Sequence, residues 1–191
     1  SDVYKRQMWT AGLRGPGQLL LEGEGAIEFY RASGDSDEQT EIIFKALDEA
    51  GLHPHINDNV FEAIWSKATL NSVLNPLCTI LDKTIYDFGS YDHSRNMIVP
   101  IIDEIVAVAK ARGVELDKTA LIQKIEGAYP KEKQGLHYPS MHQDYKNGRL
   151  TEIDYLNGQI AKYGEALQIP TPVNTMLTHQ IHQLEMKHNQ A

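Results

Sequence analysis

The chain has 191 residues, 41% of them hydrophobic, 23% charged and 8% aromatic, with 18 basic against 26 acidic side chains and a formal charge of −8. This is the composition of an ordinary globular protein, and a chain of such length buries about 70% of its unfolded surface, so it needs no disulfide staple or structural metal. The acidic balance, with pI ≈ 5.4, argues against a phosphate-backbone partner, which calls for a concentrated basic face; nucleic acid is not expected.

The longest nearly uncharged stretch, Ala68 to Leu81, contains Asn71, Asn75 and Pro76 and is too short and too polar to cross a bilayer, so no membrane partner is expected either. Cys78 is the single cysteine, which rules out an internal disulfide and fits a reducing compartment. No charged-then-apolar leader opens the chain, and the cytoplasm is the expected address.

Residues 1–7, SDVYKRQ, show neither helical nor strand periodicity and are set aside as a non-native leader, with the native protein expected from about Met8. A turn-rich run, Gly12 to Gly17, precedes two strand-like pieces, Leu19-Leu20-Leu21 and Ala26 to Tyr30, which read as a hairpin turning at Glu22-Gly23-Glu24-Gly25. Gly23-x-Gly25 is not a dinucleotide fingerprint, because the third glycine position is Glu28 and no helix follows.

Ser36-Asp37-Glu38-Gln39 has the capping-box pattern for a helix with a stripe of Ile43, Leu47 and Ala50, closed by Gly51. A short extended run, Leu52 to Asn57, follows. Residues 8–58 therefore look like the closing portion of a mixed α/β domain.

From residue 59 onward the pattern is helical. Asn57 or Asp58 caps a helix through Phe61, Ile64, Trp65, Leu70, Val73 and Leu74, which Pro76 is expected to break or kink. Asp92 or Ser94 opens the next, along Met97, Ile101, Ile105, Val108 and Ala109, ending at Gly113. Asp117 caps Leu121, Ile122 and Ile125, and Tyr129 to Pro139 is a charged loop. Ser140-Met141-His142-Gln143 again fits a capping box, for a short helix stopping by Gly148. Thr151-Glu152-Ile153-Asp154 starts a longer helix, and Thr171-Pro172, a cap and a first-turn proline, opens the last one.

Several residues could carry chemistry. Lys67, Asn71 and Asn75 stand at i, i+4 and i+8, offset by only about 40° per step around the helix axis, so they form one polar stripe in an apolar run. Two readings are equally open: Lys67 snorkels while the asparagines brace neighbouring loops, or the stripe faces a cleft and binds an oxygen-rich ligand. Ser140 reads as an N-cap and Glu152 as a first-turn carboxylate that complements the helix dipole. The histidine pairs His53/His55, His137/His142 and His179/His182 lack companions at metal-ligand spacing, so no metal is expected. Cys78, in apolar company, reads as a small buried hydrophobe rather than a nucleophile.

The stripe, written out as Trp65-Ser66-Lys67-Ala68-Thr69-Leu70-Asn71-Ser72-Val73-Leu74-Asn75-Pro76-Leu77, resembles the K-x3-N-x3-N-P-L signature of the ketopantoate reductase (2-dehydropantoate 2-reductase) family. The later run HYPSMHQDYKNGRLTEIDYLNGQI, His137 to Ile160, resembles the S-M-x-Q-D…R-x-T-E-I-D-Y-x-N-G segment of the same family, and GPGQLLLEGEGAIEF resembles the end of its nucleotide-binding domain. The resemblance implies a mainly α fold. Residues 59–191 would be an all-helical domain like the C-terminal domain of 6-phosphogluconate dehydrogenase, holding substrate and catalytic residues, and residues 8–58 the remnant of an NADP-binding Rossmann domain.

It also implies NADPH-dependent reduction of ketopantoate to pantoate, with a 2-keto acid as the small-molecule partner and a homodimer as a compatible assembly. In the family pattern Lys67 matches the catalytic lysine, and Asn71, Asn75, Ser140 and Glu152 match substrate-contacting positions. The family's glycine-rich phosphate loop has no counterpart in these residues, so the chain is expected to be a fragment with little activity alone. Asp82-Lys83-Thr84-Ile85 departs from the asparagine-glycine turn that many members carry. Two alternatives stand beside this reading: a related reductase making D-2-hydroxy acids from other 2-keto acids, and a non-catalytic helical association fragment.

Overall fold

The computed structural model describes residues 3–7, 10–22, 25, 27–31, 38–57 and 59–188. They fall into two compact units, Ser1–Ile64 and Trp65–Ala191.

The first unit holds strands β1 (Val3–Gln7), β2 (Thr10–Gly15), β3 (Gln18–Glu22) and β4 (Ile27–Arg31), helix α1 (Glu38–Glu49) and strand β5 (Pro54–Ile56). The hairpin differs from expectation. β3 pairs antiparallel with β2, not with β4. The turn is at Pro16-Gly17, where proline presets φ and Gly17 takes φ +72°, a backbone that costs a side-chain-bearing residue but not glycine. β4 instead lies between β1, antiparallel, and β5, parallel. Residues 3–7 thus belong to a sheet despite lacking strand periodicity, because ladder hydrogen bonds are made by the backbone and do not depend on side-chain alternation.

Strand β4, helix α1 and strand β5 form a parallel β-α-β unit, as the helix-then-strand reading suggested. The buried face of α1 is turned from the expected one: Thr40 is buried and the Phe44 ring lies 6.5 Å from that of Phe29, whereas Ile43 is exposed. Gly51 ends the helix at φ +71°, with Gly51 N–H donating to the Asp48 carbonyl and Leu52 N–H to that of Leu47. The Ser36 cap falls outside the described residues.

Helix α2 (Val60–Leu81) opens where Asn57 Oδ1 accepts from the Asn59 N–H at 2.8 Å. It continues past Pro76 to Leu81, so Pro76 does not break it.

The second unit continues with α3 (Ile85–Gly89), α4 (Ser94–Ala111), α5 (Lys118–Glu126), α6 (Ser140–Lys146), a 3-10 turn at Ile153–Tyr155, α7 (Asn157–Leu167) and α8 (Pro172–His188). Its centre is α4, whose residues Ile98, Ile101, Ile102, Ile105 and Val108 recur at helical spacing and are all buried. Val73, Leu74, Leu77 and Cys78 of α2 and Leu121, Ile122 and Ile125 of α5 pack into the same cluster. Each fully buried Ile or Leu contributes roughly 1.5–3 kcal/mol by leaving water, so this cluster is the main source of stability in the unit.

Four other expectations are corrected by the structure. α3 was missing from the sequence reading; Thr84 caps it, accepting from Asp87 N–H at 3.1 Å. His93, not Asp92 or Ser94, occupies the cap position of α4 and makes no side-chain cap bond. The helix expected from Thr151 is split, with Leu156 at φ −106°, ψ −103° separating the 3-10 turn from α7. Finally, the first N–H groups of α8, on Val173 and Asn174, are taken at 2.8 and 2.9 Å by the Glu104 carboxylate of α4 rather than by the Thr171 hydroxyl. Asp117 caps α5 as expected, accepting from Thr119 and Ala120 N–H.

Candidate functional site

Lys67, Asn71 and Asn75 lie on one face of α2 and follow a gradient of burial: Lys67 is exposed, Asn71 half-buried and Asn75 5% exposed. The helix therefore carries a charged group at the surface and two carboxamides that descend toward the interior. Below them the helix is apolar, and Thr69 and Thr79 return their hydroxyls to the carbonyls of Trp65 and Asn75 at 2.8 and 2.7 Å, so these two add no free polarity to it.

Ser140 is the first residue of α6 and is exposed; Pro139 occupies the cap position and makes no side-chain cap bond. The capping role expected of Ser140 is not realised. Gln143, its expected partner in a capping box, donates from Nε2 to the Tyr138 carbonyl at 2.9 Å instead. Glu152 likewise sits at the head of the 3-10 turn, exposed and without a side-chain cap bond. Both side chains are thus released from the local duties that their sequence neighbourhood suggested.

What places them is the residue that follows each. Met141 and Ile153 are both buried in one small cluster with Ile181, against which Ile80 of α2 and Leu156 pack. The segments bearing Ser140 and Glu152 are both anchored in that cluster, which Ile80 joins from near the C-terminal end of α2. A second tether acts on α6 alone. Asp82, just past α2 and at φ +51°, takes His142 Nε2 at 2.7 Å on one carboxylate oxygen and Lys146 Nζ at 3.0 Å on the other. The hydrogen bond from His142, then that from Lys146, holds the Asp82 carboxyl below the usual carboxylate range. His142 is buried and stacks on Tyr138 with ring centroids 4.2 Å apart, which fixes the imidazole. This tether was not foreseen; the only sequence signal was that Asp82 stands where a glycine-containing turn was expected.

Other groups with chemical potential fall elsewhere. Cys78 is fully buried, and burial pushes its thiol up to about 12, which leaves it protonated and unreactive, as the sequence reading held. His182 meets Asp154 at 3.2 Å and His179 lies beside it, but among the described residues no three His, Cys, Asp or Glu side chains are grouped to hold a metal ion. A cavity of ≈ 530 Å³ between α7 and α8, lined by Asp154, Lys162, Glu165, Thr171, His179 and His182 among others, includes none of the five candidate residues.

The second unit has the fold of the all-helical C-terminal domain of ketopantoate reductases. Residues 59–185 match the family described as "Ketopantoate reductase PanE/ApbA C terminal", and the chain belongs to that family. It is similar to the 2-dehydropantoate 2-reductase of Lactococcus lactis, 40% identical over 179 residues that make up 93% of this chain and 57% of that protein. The Streptococcus pyogenes enzyme of the same name is 39% identical over 93% of this chain and 58% of its own length. The chain thus spans somewhat over half the length of the curated relatives it matches. Among solved structures, a D-mandelate dehydrogenase in complex with NADH is 39% identical, with a TM-score of 0.91 over 98% of this chain and 63% of that one. A PanE/ApbA family ketopantoate reductase from Ralstonia eutropha is 26% identical with a TM-score of 0.85, covering 98% of this chain and 60% of that one. No described helix is long and apolar enough to cross a membrane.

Proposed function

We propose that these residues form the substrate-binding and proton-donating part of a 2-keto acid reductase acting on ketopantoate. The observation that carries the reading is the Lys67-Asn71-Asn75 stripe on α2, a surface ammonium leading to two progressively buried carboxamides, within the segment that matches the reductase family.

Among the described elements none combines a strand, a glycine-rich turn and a helix N-terminus into a cradle for a dinucleotide phosphate, so no described residue is assigned to the cofactor. A reduced nicotinamide, NADPH in the family pattern, supplies the hydride when bound. The part played by this chain is electrostatic and acidic. As the keto carbon is reduced its oxygen gains charge, and Lys67 Nζ stabilises that oxygen and gives it a proton. Asn71 and Asn75 align Lys67 and hydrogen-bond substrate oxygens. Ser140 Oγ donates to the carboxylate or hydroxyl end of the substrate, and the Glu152 carboxylate accepts from a substrate hydroxyl. The freedom of both from capping bonds supports these roles. A cytoplasmic address and a homodimer belong to the same proposal.

Lys67→Ala in the enzyme carrying its complete nucleotide-binding domain tests the reading. Its turnover of ketopantoate, followed by nicotinamide absorbance, should fall about 10²–10⁴-fold, the usual worth of a positioned general acid. Turnover within a few-fold of the parent overturns the role of Lys67. A second reading is favoured by the D-mandelate dehydrogenase structures, 39–40% identical to this chain: the substrate is a branched or aromatic 2-keto acid instead. Rates with ketopantoate and phenylglyoxylate, measured side by side, separate the two, because the lysine chemistry is common to both.

A further inference from the structure

Pro76 lies inside α2 and has no N–H to give to the carbonyl four residues earlier, that of Ser72. In the middle of a buried helix this is a serious defect, since Ser72 is 1% exposed and water does not reach its carbonyl. Asn157, at the start of α7, fills the gap. Its Nδ2 donates to the Ser72 carbonyl oxygen at 2.9 Å. Pro100 of α4 poses the same problem without needing the same answer, because both Pro100 and Asn96, whose carbonyl it leaves unpaired, are exposed to water.

Asn157 is itself fixed. It is 0% exposed, and its second Nδ2 hydrogen goes to Asn174 Oδ1 at 3.0 Å. Asn174 Nδ2 donates to Glu104 Oε2 at 2.7 Å and to the Ile101 carbonyl at 3.4 Å, which turns Asn174 Oδ1 toward Asn157. A flipped Asn157 amide would set its oxygen against two other oxygens, so the chain of bonds permits one orientation. Glu104 closes the chain by binding the α8 N–H groups of Val173 and Asn174. A rigid relay therefore runs from α4 through α8 and α7 to one carbonyl of α2. That carbonyl belongs to the residue after Asn71, and the proline that orphans it follows Asn75.

We infer that Asn157 is a positioning residue for the substrate site: by holding the Ser72 carbonyl it sets the local geometry of α2 between Asn71 and Asn75, and with it the angle at which the two carboxamides are presented. The assignment of those carboxamides to substrate rests on the function proposed above; the bond between Asn157 and the Pro76 defect does not.

Two measurements on the complete enzyme keep these levels apart. In thermal unfolding, Asn157→Ala should lower Tm by roughly 5–10 °C, since a buried carbonyl and Asn174 both lose a partner. In a Pro76→Ala background, where residue 76 regains an N–H for Ser72, the same change should cost less than half as much. If Asn157→Ala alone fails to fold, recovery of the fold in the double variant supports the pairing. Equal losses in both backgrounds, or failure of both variants to fold, overturn it.

In steady-state kinetics on folded Asn157→Ala, KM for the 2-keto acid should rise about tenfold while KM for the nicotinamide dinucleotide stays unchanged, because only the keto acid meets Asn71 and Asn75. A loss confined to the fraction of active enzyme, with both KM values unchanged, makes Asn157 purely structural and overturns the positioning role. If no 2-keto acid is turned over by the parent enzyme, the functional reading fails, and the unfolding cycle still decides the pairing.

Discussion

Asp82 shows how one side chain positions a segment that its sequence neighbours do not. It follows α2 in a left-handed conformation and binds His142 and Lys146 of α6, the helix headed by Ser140. Its folded carboxyl lies below the ordinary value, chiefly through the His142 hydrogen bond. The stability it contributes is therefore complete above the unfolded-state pKa of about 4 and is lost as pH falls through the depressed folded value. Asp82→Asn, which tolerates the same backbone, should lower Tm by roughly 1–3 °C near pH 6, a modest effect because the Asp82 carboxylate is largely solvated. The gap between variant and parent should close as pH drops below about 4. A gap that is constant from pH 7 to pH 3, followed by calorimetry, would show that the ion pair contributes nothing.

The candidate site was legible in unequal parts. Lys67, Asn71 and Asn75 share one helix, so their spacing placed them on one face before any fold was known. Ser140 and Glu152 were visible only through resemblance to a family, because each sat in a pattern that a helix cap explains equally well. The structure removes that explanation: neither side chain makes a cap bond.

Among the elements, α3 was missed although Thr84 and Asp87 stand three apart, the spacing of a capping box, and the two do bond in both senses. A five-residue helix has too little periodicity to be seen, and its place is decided by packing. Phe88 is buried and meets Tyr129 edge-on with ring centroids 6.0 Å apart. Gly89 makes the approach feasible, since a Cβ there would lie 2.2 Å from Tyr129 Cγ. Gly89→Ala should destabilise the protein by about 1–3 kcal/mol, the usual cost of overpacking, read from the urea midpoint. An unshifted midpoint would show that the ring moves aside freely. A helical association fragment would rest on the apolar helices near Ile101 and Met176, and the packing narrows that surface. Ile101 is 0% exposed within its own core, and only Met176, 53% exposed, is available.

For the molecule as a whole, the main hydrophobic cluster lies entirely within the unit Trp65–Ala191. Residues 57–191, which retain the Asn57 bond at the head of α2, should therefore fold alone and melt cooperatively when followed by far-UV circular dichroism. A broad, non-cooperative melt would show that this core is incomplete without the preceding residues.

Helix content, the stripe on α2, the Asp117 cap and the Gly51 stop follow from residues within a few positions of one another, and these were readable directly because a helix is built from local hydrogen bonds and a fixed period. Three features depend on groups far apart in the chain: the partners of β4, the helix N-terminus closed by Glu104, and the passage of α2 through Pro76. In each of these a backbone group must be satisfied, and the partner that satisfies it is set by which donor or acceptor the fold brings within reach. Ser72 and Asn157, 85 residues apart, are the clearest instance. Proline announces the missing donor in the sequence, but only packing of α7 against α2 supplies its replacement.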